Sequence, residues 1–248
     1  MEPLKVLVAC EYSGVVRDAF EHAGCDAWSC DILHTESEQT KAAEKHIQGD
    51  VMYMSPNYFN EKITFSEYMP VKKQLNQRWD LLIGHPPCTY LSFAYTGKER
   101  YSLERLQKKI HAYQFFLNLW NAPVEHICLE NPMGYVHSGL LPCTQIIEPY
   151  YFGHDYKKKT CLWLKNLPKL TYSLTDTMFE KKTAQEPTKI FLDNMTKVKR
   201  KGNIKVERES VLSPYANQKE RSKFHSGIAR AMAQQWTEYI NQLNLKKT

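Results

Sequence analysis

A chain of 248 residues, 42% hydrophobic and 24% charged, is long enough for one large domain, or one domain with a small lobe, and has an ordinary globular composition. Its apolar runs, such as Val6 to Cys10, are too short to span a bilayer, and "MEPLKVLVAC" lacks the charged-then-apolar order of a signal peptide. Seven cysteines without a C-x-x-C pair argue for a reducing, cytoplasmic setting, and against a disulfide framework or a structural zinc site.

In chain order, "KVLVAC" (5–10) predicts a strand buried on both faces of a parallel sheet. "GVVRDAFEHAG" (14–24) places Val15, Val16, Ala19 and Phe20 on one helical face and stops at Gly24, a C-cap. "DAWSCDI" and "HIQGDV" predict a second and a third strand, each ending in an acid, and "WDLLIG" (79–84) a fourth. "SLERLQKKIHAYQFFLNLWNA" (102–122) predicts a long amphipathic helix started by Ser102, and "EHICLEN" (125–131) a fifth strand. "TQIIEPYYFG" and "KKTCLWLKNLP" read as paired strands. The stretch 169–214 is polar, lysine-rich and without period, which suggests a short irregular lobe; a final helix over about 219–243 closes the chain. Strand–helix alternation predicts an α/β fold with a doubly wound, mostly parallel sheet, whose ligands collect at the carboxyl ends of the strands.

Those ends are polar. Glu11, Tyr12, Ser13 and Gly14 follow the first strand, Asp31 the second, Asp50 the third, Cys88 the fourth, and Glu130 with Asn131 the fifth. Pro86 and Pro87 cannot continue a central strand, so Cys88 enters a stiff loop, either tucked beneath it or displayed as a nucleophile. Asp31 and Asp50 are equally compatible with capping a helix or turn. The charge of +6 is concentrated in the second half, in "YKKKT" (156–160), "KVKRKGNIK" (197–205) and "KERSK" (219–223), as for a polyanionic partner or a solvated surface.

"EYSGVVRDAFEHAGCDAWSCDI", "QGDV", "GHPPCTYLS" and "LENP", in this order, resemble the DNA cytosine-5 methyltransferases, and the likeness extends through "YFGHDYKKKTCLWL" and "RSKFHSGIARAMAQQW". It covers residues 4–165 and 215–240 and has the compactness of a phage or prophage member. It implies a catalytic domain over 1–168 and 215–248 with a Rossmann-like methyltransferase fold, and a target-recognition lobe at 169–214. It also implies Cys88 as the nucleophile that adds to cytosine C6, Glu130 facing the Watson–Crick edge, and Asn131 holding the loop or the base. S-adenosylmethionine is the implied cofactor, with no metal. Tyr12, Ser13 and Gly14 would lie against it, Asp31 would accept from its ribose and Asp50 from its adenine, and Ile32, Val51, Pro86 and Ser222 would complete the set. Lys157, Lys158, Lys159, Lys199, Arg200 and Lys201 would take phosphates of double-stranded DNA, bound by a monomer with no membrane attachment. Thr89 replaces the glutamine that follows the family's cysteine, and Pro132 the valine of its E-N-V. Remaining alternatives are the same chemistry on RNA, transfer of a different group, a catalytically silent DNA-binding relative, and an unrelated α/β protein with a buried Cys88.

Overall fold

Val6 and Val8 face one side of the first strand, Leu7 and Ala9 the other, and all four are fully buried. Such a strand must lie inside a sheet covered on both faces. The computed structural model, which describes residues 2–36, 44–54, 65–93, 102–154, 158–172, 198–200, 203–205 and 224–247, has this architecture. Its main sheet has seven strands in the order β3-β2-β1-β4-β5-β7-β6. The strands are β1 (Lys5–Ala9), β2 (Asp26–Asp31), β3 (His46–Gln48), β4 (Leu81–Gly84), β5 (His126–Pro132), β6 (Gln145–Ile147) and β7 (Thr160–Lys165). The first five in chain order run parallel, while β7 runs antiparallel to β5 and carries β6 on its outer edge. The fold is therefore α/β with a mixed sheet.

Helix α1 (Val15–His22) packs Val16 and Phe20 on one face, against Ile228, Met232 and Trp236 of α4 (Ser226–Lys247). The opposite face is covered by Leu75 of α2 (Phe65–Leu75), by Phe116 and Leu119 of α3 (Leu103–Trp120), and by the 3-10 turn Val51–Met54. Gly24 closes α1 at φ 84°, a left-handed conformation that glycine adopts without strain. Ser102 caps α3, accepting the Arg105 N–H at 3.2 Å. α2 has no counterpart in the sequence reading; Pro70 lies inside it and masks its helical signal.

Among the described residues no helix is long and apolar enough to cross a membrane. Most of the expected lobe lies outside the described residues, apart from an antiparallel pair, β8 (Val198–Arg200) and β9 (Asn203–Lys205). At its near edge, Leu170 is buried against the core and Thr171 bonds Gln235 of α4. The strand order reverses between β1 and β4, so the loops leaving these two strands flank the crevice where a doubly wound sheet binds its ligands.

Candidate active site

The loop after β4 is fixed from β5. Asn131, 2% exposed, donates from Nδ2 to the Pro86 carbonyl at 2.7 Å and to the Glu130 carbonyl at 2.9 Å. Because β4 and β5 are parallel neighbours, their ends emerge side by side, and a single amide can hold the proline pair in place. A second tie lies farther along. Tyr135 N–H donates to the Leu91 carbonyl at 2.7 Å, and Ser92 bridges to Gly134. A Cβ on Gly134 would sit 2.2 Å from the Leu91 oxygen, so only glycine permits that crossing.

Cys88 sits between the two ties, in a turn whose carbonyl accepts the N–H groups of Leu91 and Ser92 at 3.0 and 2.9 Å. Its residue is exposed. Partial desolvation and the Glu130 charge push the thiol above its ordinary range, and Lys158 opposes them. The Glu130 and Lys158 charges thus act on the sulfur in opposite senses, and Lys158 is one of the phosphate ligands expected from sequence. Glu130 Oε2 is 3.2 Å from His85 Nδ1, with both side chains largely buried. His85 stacks obliquely on Phe224, ring centroids 4.7 Å apart, and its Nε2 is buried with no hydrogen-bond partner among the described residues. Nothing in the sequence around His85 marks it as functional. Its importance depends on Glu130, 45 positions later, and no local pattern announces that contact.

On the other side of the crevice, Glu11 fastens the loop after β1. Its carboxylate accepts the Val16 and Arg17 N–H groups at 2.7 and 3.1 Å, at the start of α1. Burial nevertheless pushes its pKa upward, against the pull of His85 and these two donors. Gly14 takes φ 76°, a left-handed conformation, at the residue from which α1 starts. Asp31 Oδ1 accepts the Leu33 N–H and Asp50 Oδ1 the Met52 N–H, each at 2.9 Å. Both acids thus perform the capping role that the sequence left open. Both also bear on Cys10 at the end of β1, whose thiol is pushed well up by burial first and then by these two charges. Behind them runs a polar chain: Arg17 Nη1 donates to Ser29 Oγ, which bonds His46 Nδ1, and His46 Nε2 reaches the Leu33 carbonyl. It supports the turn that carries Asp31. Beside that acid, Ile32 is 70% exposed, an apolar platform next to a carboxylate.

Val51 and Pro86 are buried. Lys159 is exposed near Lys158; Lys199 and Arg200 belong to β8, while Lys157, Lys201 and Ser222 lie outside the described residues. A different set of cations stands against the loop that follows Cys88. Arg105 and Lys108 of α3 lie 5.1 and 5.9 Å from the Tyr90 ring centre, and Lys109 lies 3.2 Å from that of Tyr135, which meets Phe93 edge-on. Between this face and Pro87, Thr89 and Tyr90 opens a cleft of about 310 Å³. Read along the chain, these lysines are simply the solvated face of an amphipathic helix.

No protein-family model and no curated protein matches the chain. Among solved structures it is similar to the Schizosaccharomyces pombe Dnmt2 methyltransferase, at 16% identity over 82% of this chain, with a TM-score of 0.38. It is also similar to a Spodoptera frugiperda DNMT2 mutant, at 18% identity over 75% of this chain, with a TM-score of 0.30. The chain covers 58% and 55% of those two proteins. At scores this low the likeness adds nothing to the site, which stands on the contacts described above.

Proposed function

We propose that the protein transfers a methyl group from S-adenosylmethionine to C5 of cytosine in DNA, through a covalent adduct on Cys88. The observation that supports this reading is the Asn131–Pro86 hydrogen bond, which ties the loop of the exposed Cys88 to the strand end that carries the largely buried Glu130 carboxyl. Neither group is needed for binding alone. The cytosine ring must be reached at its face and its Watson–Crick edge, so the base leaves its stack. The resting Cys88 is a thiol, and the proton it gives up as sulfur bonds to C6 passes through the Glu130 carboxyl to N3 of the ring. His85 Nδ1–H holds one Glu130 oxygen and leaves the other for the base. Protonation at N3 leaves C5 enamine-like and able to attack an electrophilic carbon. Water then takes the C5 proton as the C6–sulfur bond breaks and expels the Cys88 thiolate, and the N3 proton returns through Glu130 to that sulfur, restoring the resting thiol.

S-adenosylmethionine, when bound, supplies the electrophilic methyl group. The donor set at the first three strand ends suits it: Asp31 for ribose hydroxyls, Ile32 for an apolar ring face, Asp50 for an amino group, and the Tyr12–Gly14 backbone for the methionine portion. Arg105, Lys108 and Lys109 are proposed to receive phosphates alongside Lys158, with Tyr90 as a stacking surface. The experiment is nucleoside mass spectrometry of DNA and RNA from cells expressing wild type or Cys88→Ala, with trapping on 5-fluorocytosine DNA. Wild type should yield 5-methyldeoxycytidine and a covalent adduct, and the variant neither. Methylation confined to RNA would move the substrate to RNA, and unmethylated nucleic acid with no adduct would remove the proposal altogether.

A further inference from the structure

We propose that His137, Cys143 and Cys161 form a soft-metal site, with zinc as the ion their chemistry suits. Their ligand atoms all lie within 4.8 Å of one another. His137 stands in the helical turn Val136–Leu140, Cys143 in the link to β6, and Cys161 in β7. The β6–β7 pairing brings them together: Ile146 faces Cys161, Thr144 N–H donates to the Leu162 carbonyl at 2.8 Å, and Trp163 Nε1–H donates to the Leu141 carbonyl at 2.7 Å. The link is thus pressed flat across β7. Cys143 N–H donates to His137 Nδ1 at 3.1 Å, which keeps that nitrogen unprotonated. An ion bound there displaces this one hydrogen bond.

Two thiolates and an imidazole select zinc over magnesium or calcium. A tetrahedral zinc with Zn–S near 2.3 Å spaces its ligands by about 3.8 Å, so the cluster closes by about 1 Å at most, within the reach of side-chain rotation. Without metal, Cys161 is a thiol, pushed up to about 12 by burial and then by Cys143. Metal binding releases both thiol protons to solvent. Three protein ligands leave the fourth position to water or a small ligand. The absence of a C-x-x-C pair concealed this cluster, because its spacing is set by sheet topology. Cys161 pairs with Asn131 across β5 and β7, and the clasped segment begins next to Gly134, which locks the Cys88 turn. The site is therefore a fastener for the active loops, and it stands or falls independently of the methyltransferase reading.

The test uses the full chain, purified without chelator. Zinc is measured by mass spectrometry, and the metal-stripped protein is titrated with Co(II) while thiolate-to-cobalt charge-transfer absorption is recorded. About one equivalent of zinc and a saturable tetrahedral Co(II) spectrum are expected. Cys143→Ser and His137→Asn should each weaken Co(II) binding by more than the roughly 10–100-fold that loss of a residue merely supporting a ligand costs. Cys143→His, which keeps a ligand, should restore much of the binding. Circular dichroism shows that each variant is folded; Cys161 is left intact because its burial makes it hard to replace. Wild type that gives no Co(II) spectrum, with Cys143 and Cys161 recovered as free thiols or as a disulfide, overturns the proposal. So does a spectrum that survives the Cys143→Ser/His137→Asn double substitution.

Discussion

Asn131→Ala separates positioning from stability. The substitution deletes the donor to the Pro86 carbonyl, a loss of about 1 kcal/mol net plus about 1 kcal/mol for the stranded acceptor. It also deletes Asn131 Oδ1, which is buried without a hydrogen-bond partner among the described residues and carries a penalty of similar size in the opposite direction. The net loss of stability is therefore about 1 kcal/mol. The kinetic effect has no such offset. Once untied, Cys88 drifts relative to Glu130, and a misplacement of about 1 Å costs about 100-fold in rate, or about 2.7 kcal/mol. Urea unfolding supplies the first quantity, and single-turnover methylation with 5-fluorocytosine trapping the second. Cofactor affinity should be unchanged. Adduct formation at the wild-type rate would refute the reasoning, and so would a stability loss above about 3 kcal/mol, which would make Asn131 a core residue first.

Asp31→Ala should weaken S-adenosylmethionine binding by about tenfold or more in calorimetry, and unchanged affinity would reduce Asp31 to the cap of the Leu33 turn. His225, buried, has its pKa lowered from 6.5 to about 3 by desolvation and then by Lys158 and His154. A base depressed on folding contributes stability that is full above its unfolded pKa and is lost as pH falls through the folded value. Wild type should therefore lose about 2 kcal/mol between about pH 7.5 and pH 5 that His225→Phe does not lose; parallel pH–stability curves would refute this. Replacing Arg105, Lys108 and Lys109 with Gln should shallow the log–log salt slope of duplex binding by up to about three, with site preference unchanged, and an identical slope would return α3 to ordinary surface.

The sheet was legible because its strands are buried on both faces and so read as unbroken apolar runs, from "KVLVAC" to "HICLEN". Cys88, Glu130 and Asn131 could be grouped for a related reason: parallel strands deliver their carboxyl ends to one edge, whatever their separation in the chain. What escaped was everything defined by a partner rather than by a pattern. His85 reads as the last residue before two prolines until Glu130 is beside it. The runs of lysine in the second half are visible as charge clusters, while Arg105 and Lys108 gain meaning only from Tyr90 across the loop. Asp31 and Asp50 stay ambiguous in the sequence, since each follows a strand at the ligand-binding edge and each also caps a turn.

The packing of α1 under α4 sets a schedule for synthesis. Cys25 Sγ meets Thr237 Oγ1 at 3.2 Å, across 212 positions of sequence, and the apolar face formed by Val16, Phe20, Val6 and Val8 is roofed by Ile228, Met232 and Trp236. A ribosome therefore releases the first strand and helix long before their cover exists. Closing so long a loop costs entropy before it returns any burial, which slows folding. A nascent chain halted before Phe224 would hold an unroofed sheet, open to proteases and chaperones, and this face of the sheet is covered only when α4 is free to dock.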